Sequence, residues 1–247
     1  MKYIEKPNLP QGRVTLAAIS EEAGESIKKL NSLGVKTIKI NKNIKLPEPI
    51  NSHADIQILH IEKNRFFCYE HLFSGEFKKN FFIEKIIELP GNSYPDDVRL
   101  NCTIIDNKLI CNEKTVSRSV LEYADSHNMI IVNVNQGYAR CSICVVNENA
   151  IITDDKSIYS AAGKFFNDTQ FISKGSIELK GYNYGFIGGC CGKIDKNTIA
   201  FNGAIERHKD YKTIIDCLER NNIMCVELHS GKLTDIGGII PLCEEIY

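Results

Sequence analysis

A strand–turn–strand pattern recurs four times along this chain of 247 residues, and the start of a fifth copy lies near the C-terminus. The four copies begin at Asp55, Arg99, Arg140 and Gly188, and the partial copy begins at Asp235. Successive copies are roughly 40 to 50 residues apart, a period that is typical of an array of supersecondary units. The repeat therefore constrains the architecture of this chain more strongly than any other feature of the sequence.

Each copy is predicted to be a β-hairpin that a helix and a further strand follow. Asn or Asp residues occupy the predicted turns, at residues 62–64, 106–108, 147–149 and 195–197, and both residue types tolerate left-handed backbone. After the fourth hairpin, Tyr211, Ile214, Ile215 and Leu218 give the i, i+3, i+4, i+7 stripe of an amphipathic helix. Strands are predicted at 129–134, 170–173 and 223–228, so the repeating unit is ββαβ. The stretch 69–83 after the first hairpin is less regular, and its helix is predicted to be short or lost.

The two ends of the chain are predicted to complete the fifth unit together. Only twelve residues follow Asp235, whereas the N-terminal region offers a strand at 14–19, a helix at about 21–33 and a strand at 35–40. Pairing of the N-terminal strand with residues 236–242 would close a ring and remove exposed strand edges. The sequence thus predicts one α/β domain over residues 1–247, a five-fold pseudosymmetric α/β propeller of ββαβ repeats closed by the N-terminal strand.

Polar residues alternate with apolar ones where each hairpin begins. If these positions are strands, side chains two residues apart share a face, so the polar set would line the axis of the ring and the apolar set, including Cys141, would pack under the helices. An axial pocket with acids, arginines and the thiol of Cys190 would suit a small polar molecule. Alternatively, these charges pair with one another and only stabilise closure of the ring.

Composition excludes several functions. The net charge is −1, from 30 basic and 31 acidic residues, which argues against a DNA-binding surface. There is no run of 18 apolar residues, and the first residues have no apolar core typical of a signal peptide. Ten cysteines without such a signal favour reduced thiols in the cytoplasm. The pair Cys141 and Cys144 would face opposite sides of a strand, so we expect no metal site, and no cofactor is indicated.

Four residues are candidates for nucleophilic or acid–base chemistry. Cys190 lies in a glycine-rich stretch that a ligand or another backbone segment could approach closely, and Cys243 follows the glycines of the fifth copy. His53 precedes Asp55 by two residues, which would place an imidazole and a carboxylate on one face of an extended strand. His229 lies in the equivalent loop before Asp235. Each also has an ordinary explanation, as a buried apolar filler, a tail residue or a solvated loop histidine.

A ring of five ββαβ units resembles the pentein fold, the α/β propeller of the guanidino-group-modifying enzymes, over about residues 13–242. His53-Ala54-Asp55 resembles the HxD motif of those enzymes, and the stretch from Gly237 to Cys243 resembles their glycine-rich approach to a C-terminal cysteine. In those enzymes the HxD motif lies in a late repeat, whereas here it lies in the first complete one. The resemblance implies a cysteine that attacks a guanidinium carbon, a histidine that protonates the leaving amine, and acids that hold the cation.

Two functional hypotheses follow from the residues and the resemblance. In the first, the axial pocket binds a guanidinium- or amino-acid-like molecule through Asp55, Asp97 and Asp235, with Arg140 holding a carboxylate. Its more specific form is a hydrolase of C–N bonds with Cys190 or Cys243 as nucleophile and His53 or His229 as acid and base. In the second, the chain resembles the ribosome anti-association translation initiation factors of the same fold, which bind a ribosomal subunit and catalyse no reaction. A redox-sensing thiol protein is a third alternative, indicated by the cysteine count alone.

Overall fold

The computed structural model describes residues 2–72 and 76–246 of the chain, except for the side chain of residue 76. Within these residues the chain forms six α-helices: α1 (Gly24–Ser32), α2 (Ala54–Gln57), α3 (Glu76–Asn80), α4 (Arg118–Ser126), α5 (Lys156–Ala162) and α6 (Tyr211–Arg220). The same residues form sixteen strands: β1 (Lys2–Tyr3), β2 (Arg13–Ser20), β3 (Lys36–Ile40), β4 (Ile58–Glu62), β5 (Arg65–Cys68), β6 (Phe82–Lys85), β7 (Thr103–Ile105), β8 (Lys108–Cys111), β9 (Ile130–Asn133), β10 (Ile143–Asn147), β11 (Ala150–Thr153), β12 (Asp168–Phe171), β13 (Cys191–Asp195), β14 (Thr198–Phe201), β15 (Met224–Glu227) and β16 (Ile240–Glu245).

The strands pair in small sheets with one recurring topology. In β4-β5-β6, β7-β8-β9 and β10-β11-β12, an antiparallel hairpin is followed by a helix and by a third strand that is parallel to the second. The strands β13-β14-β15 repeat this arrangement inside a seven-stranded sheet. These pairings give a mixed α/β fold of small sheets.

The two termini share one unit, as the sequence predicted. Strand β16 pairs antiparallel with β2, with Ile240 opposite Ala18, and β2 pairs parallel with β3 across α1. The seven-stranded sheet thus joins both ends of the chain, with β1 on the outer side of β16 and β13 beside β2. The five-fold pseudosymmetry of the whole ring stays a prediction.

The prediction that each hairpin strand begins at the polar residues was wrong. Residues 54–57 form α2, residues 188–190 form a 3-10 turn, and the polar positions near 99–101, 140–142 and 235–238 also precede the strands. Some of their backbone amides donate to carbonyls three or four residues earlier, as from Asn101 to Val98 and from Ser142 to Tyr138, whereas the amides of Asp55 and Asp235 donate to distant loops, at Gly237 and Glu178. The local bonds fold the chain into turns, so the period-two alternation of a strand does not apply there.

Apolar side chains pack in five clusters under the sheets and helices. Helix α6 buries Ile214, Cys217 and Leu218, and α4 buries Val120 and Ala124. Helix α3 has only five residues, which agrees with the short helix predicted there, although residues 73–75 of that stretch lie outside the described part. Among the described residues, no helix has the length and apolar character needed to span a membrane.

Candidate functional site

The five segments that precede the first strand of each unit are hydrogen-bonded into a closed circuit. Around this circuit, with lengths of 2.8 to 3.2 Å, Asp55 N donates to Gly237 O, Gly238 N to Gly189 O, Gly189 N to Cys141 O, Cys141 N to Asn101 Oδ1, and Asn101 Nδ2 to Asp55 O. Buried polar backbone groups need hydrogen-bond partners, and here each segment supplies a donor or an acceptor to the next segment. The circuit therefore fixes five loops of distant sequence position around one centre.

Glycines make this close approach possible at two points. A β-carbon on Gly189 would overlap with the carboxylate of Asp235, and one on Gly237 would overlap with the side chain of His53. Gly237 also has φ of +75°, a backbone conformation that other residues rarely adopt. The glycine-rich stretches thus admit neighbouring protein side chains to the centre.

Two carboxylates are buried at the centre, where Asp55 is 0% and Asp235 is 3% exposed. Asp235 Oδ1 accepts from Gly237 N at 3.0 Å, and its Oδ2 accepts from Phe186 N at 3.0 Å. His53 Nδ1 lies 3.7 Å from Asp235 Oδ1. Burial raises the pKa of Asp235, and the nearby Asp55 raises it further, whereas His53 opposes the shift. A cation placed between the two carboxylates would relieve their repulsion.

The thiol of Cys141 contacts one of these carboxylates directly. Its Sγ donates to Asp55 Oδ2 at 3.0 Å and accepts from Asn101 Nδ2 at 3.0 Å. Burial raises the pKa of Cys141 well above its ordinary value, and the charges of Asp55 and Asp235 raise it further. The thiol is therefore favoured over the thiolate beside these two carboxylates.

A cavity of about 230 Å³ opens onto these groups. Its walls are formed by Ile50, His53, Ile56, Tyr138, Cys141, Leu179, Tyr182, Asn183, Tyr184, Phe186 and Asp235. A thiol, an imidazole and a carboxylate thus share one small space with four aromatic rings. Aromatic faces and carboxylates both attract cations, so the cavity suits a small positively charged group beside a nucleophile.

Three of the residues that the sequence singled out meet in this region. His53 and Asp235 line the cavity, and Asp55 holds the thiol that faces it. Asp97 does not line the cavity itself. It contacts the wall residue Tyr138, whose hydroxyl donates to Asp97 Oδ2 at 2.6 Å. Burial raises the pKa of Asp97. The repeat thus brought its acids and one histidine together across the fold.

The other four predicted site residues lie away from the cavity walls. Arg140 Nη1 donates to the carbonyls of Ile143 at 3.2 Å and Gly188 at 3.5 Å, and Cys190 Sγ donates to Ile187 O at 3.2 Å. Cys243 is buried in β16 opposite Leu16. His229 Nδ1 accepts from Gly231 N at 3.1 Å in the loop after β15.

Cys141 was not among the candidate site residues predicted from the sequence. The strand-like alternation predicted that Cys141 faces the helices, whereas the residue lies in the turn before β10. The signal was present, because Cys141 occupies the third copy of a segment whose first and fifth copies carry Asp55 and Asp235.

Solved structures similar to this fold belong to the pentein superfamily, which confirms the resemblance at the level of fold. Inosamine-phosphate amidinotransferase from Streptomyces griseus matches with a TM-score of 0.62 and 9% identity, over 99% of this chain and 98% of that chain. A mutant of DDAH from Pseudomonas aeruginosa complexed with citrulline matches with a TM-score of 0.57 and 8% identity, over 93% and 96%. C. jejuni agmatine deiminase matches with a TM-score of 0.57 and 9% identity, over 100% and 97%.

These neighbours give no support to the ribosome-binding alternative. A comparison of the sequence with curated proteins finds no match. A family model described as a family of unknown function (DUF6873) matches residues 18–240, which is most of the chain. This chain therefore belongs to that family of unknown function and has the fold of the penteins.

Proposed function

We propose that this chain is a cysteine-dependent hydrolase that cleaves a C–N bond in a small guanidine or amidine cation. One observation carries the proposal: the Cys141 thiol, hydrogen-bonded to Asp55, meets His53 and Asp235 at a single cavity. The similar enzymes DDAH, agmatine deiminase and inosamine-phosphate amidinotransferase support it at the level of fold. We also propose that the five ββαβ units form a five-fold pseudosymmetric propeller around this cavity, which the hydrogen-bonded circuit supports.

The two buried carboxylates are the binding groups for the cation in this proposal. Asp55 and Asp235 repel one another in a site from which water is largely excluded, so a cation between them gains more than it would in water. The faces of Tyr138 and Phe186 line the same cavity and would hold the planar cationic group against the thiol. Arg140 bonds two backbone carbonyls, and we assign it to support of the loops.

The geometry supports a two-stage reaction. Asp55 accepts the Cys141 proton across their 3.0 Å hydrogen bond, and the thiolate forms an S–C bond to the central carbon while the C=N electrons move to nitrogen. The C–N bond to the leaving amine then breaks as His53 donates a proton to that amine. Water next adds to the carbon and gives one proton to His53. The C=O bond then forms as the S–C bond breaks, the second water proton passes to solvent, and Asp55 returns its proton to the sulfur to restore the thiol. The products are an amine and a urea or amide.

Labelling with 2-chloroacetamidine, a cationic electrophile, tests the assignment. We expect rapid alkylation of Cys141 near neutral pH, with protection by agmatine or arginine and with loss of labelling in Cys141→Ser. Cys190→Ser and Cys243→Ser serve as matched controls and should label as the unmodified protein does. Slow labelling spread over several cysteines and indifferent to the competitors would refute the proposal, as would selective alkylation of Cys190 or Cys243.

A further inference from the structure

A second concavity adjoins the cavity of Cys141. This groove has a volume of about 700 Å³ and shares Leu179, Tyr182 and Asn183 with the smaller cavity. Its other lining residues are Gly175, Ser176, Ile177, Glu178, Lys180, Arg207, Lys232 and Thr234. The two spaces are therefore adjacent along one short segment, residues 179–183.

The floor of the groove is fixed relative to the carboxylate of the cavity. Glu178 N donates to Leu233 O at 2.8 Å, and Asp235 N donates to Glu178 O at 2.8 Å. The turn that carries Arg207 is tied to the same region, because Ala204 N donates to Gly231 O at 2.8 Å. The groove is thus held in a set position beside Asp235 by backbone hydrogen bonds.

The charge of the groove is the opposite of that of the cavity. Lys180, Arg207 and Lys232 line it with a single carboxylate, Glu178, which pairs with Lys232 at 2.6 Å. Within residues 2–72 and 76–246, the Arg207 guanidinium has neither a hydrogen bond nor an ion pair to a side chain, and it is exposed. A planar guanidinium presents paired donors that match the oxygens of phosphate and carboxylate.

The cavity alone offers limited room and, among its described walls, no permanently cationic partner for an anionic end of a ligand. Pockets for whole ligands commonly measure about 300 to 1,000 Å³, and the cavity of about 230 Å³ falls below that range. Its described lining residues include no lysine or arginine, so an anionic end would find no partner there. The groove supplies both the missing volume and the missing charge.

We infer that the substrate carries an oxyanion group, a phosphate or a carboxylate, at the end remote from its cationic carbon, and that Arg207 binds this group with Lys180 and Lys232. The inference rests on the proposed hydrolase function for the cationic end of the molecule. The substrate class is thus a guanidine or amidine whose chain passes Tyr182 and Asn183 and ends in an anion.

Three synthetic ligands with one cationic head test this inference in Cys141→Ser protein, which cannot form the covalent adduct. They are 4-guanidinobutan-1-ol, 5-guanidinopentanoate and 4-guanidinobutyl phosphate, titrated by calorimetry. We expect at least one anionic ligand to bind about tenfold or more tightly than the alcohol, a gain typical of charge-assisted Arg–oxyanion pairs. Whichever of the two anionic ligands shows the larger gain in affinity over the alcohol identifies the tail of the substrate as phosphate or carboxylate. Adding Arg207→Gln should remove the gain, whereas adding Arg118→Gln, on the exposed surface of α4, should preserve it.

Inorganic phosphate, titrated alone and followed by ³¹P NMR, separates this inference from the hydrolase proposal. Phosphate binding that Arg207→Gln abolishes would support the subsite even if none of the guanidines bound, an outcome that would refute the hydrolase proposal alone. Conversely, equal affinity for all three guanidines, lost in Asp235→Asn, would overturn the subsite and leave the hydrolase proposal standing. An anion-dependent gain that Arg207→Gln leaves unchanged would also overturn the subsite.

Discussion

Replacing Asp55 with Asn should lower the pKa of the Cys141 thiol. The Sγ and Oδ2 atoms lie 3.0 Å apart, and two unit charges at that distance interact by about 5 kcal/mol at an effective dielectric constant of roughly 20. That energy corresponds to about 4 pKa units, and side-chain relaxation and entering water would reduce it. Because Asn keeps the size of Asp and can still accept the thiol hydrogen bond, we expect a fall of about 2 to 4 units.

The rate of alkylation of Cys141 by iodoacetamide, measured against pH by peptide mass spectrometry, reports this pKa. Iodoacetamide is uncharged, so the loss of the Asp55 charge does not alter its attraction to the site. In Asp55→Asn protein, the midpoint of the profile should move to lower pH. Asp97→Asn is the matched control, because the Asp97 carboxylate accepts a hydrogen bond from Tyr138 and not from the Cys141 thiol. The midpoint for Cys141 should therefore change much less in this variant. A profile in Asp55→Asn protein that coincides with that of the unmodified protein would refute the electrostatic account of this thiol.

Three further substitutions test the packing around the site. Burial raises the pKa of Asp154 to about 7, so the folded chain holds a proton that the unfolded chain releases near pH 4, and stability falls as pH rises from about 4 to 7. Asp154→Asn should therefore raise the free energy of unfolding at pH 8 by about 2 to 4 kcal/mol and change it little at pH 4; urea melts that show no gain at pH 8 would contradict this. Gly189→Ala places a methyl group against the Asp235 carboxylate and should lower the free energy of unfolding by about 1 to 3 kcal/mol, whereas Gly24→Ala, with open space at that position, should be neutral or stabilising in the same melts. Arg140→Met removes the donor to the carbonyls of Ile143 and Gly188 and should lower the free energy of unfolding by about 2 to 4 kcal/mol; an unchanged urea midpoint would favour the carboxylate-binding role predicted from the sequence.

The repeat and its turns could be predicted from the sequence because both depend on local chemistry. Lys63 and Asp106 have φ of +44° and +55° in the first two hairpin turns, where the turn residues were predicted. Pairing of β2 with β16 followed from counting the elements left at each end of the chain. The starts of the first strands were misplaced, because Asp55 and Arg140 lie in segments whose hydrogen bonds to other loops override a strand-like pattern of side chains.

The site could be predicted only in part. His53, Asp55 and Asp235 were singled out because an HxD pattern and the repeat both point to them, and the structure places the three near one another, while their role in a site stays a prediction. Cys190 was placed on the axial face by strand alternation, yet its thiol bonds Ile187 O within the core. The role of Cys141 depends on contacts with Asp55 and Asn101, which lie 86 and 40 residues away in sequence, and no local pattern encodes such contacts.

The candidate site arises from departures within the repeat. The circuit depends little on side-chain identity, because most of its hydrogen bonds join backbone atoms. Asn101 supplies the one side chain in the circuit, and it both donates and accepts. Equivalent segments are therefore free to differ, and here two carry carboxylates, one carries a thiol and one carries Gly189, whose missing side chain leaves room for Asp235. A fold of this kind can keep its backbone geometry while its central residues change. The chain accordingly matches the amidinotransferase over 99% of its length at 9% identity, and its own buried thiol lies in the segment before β10.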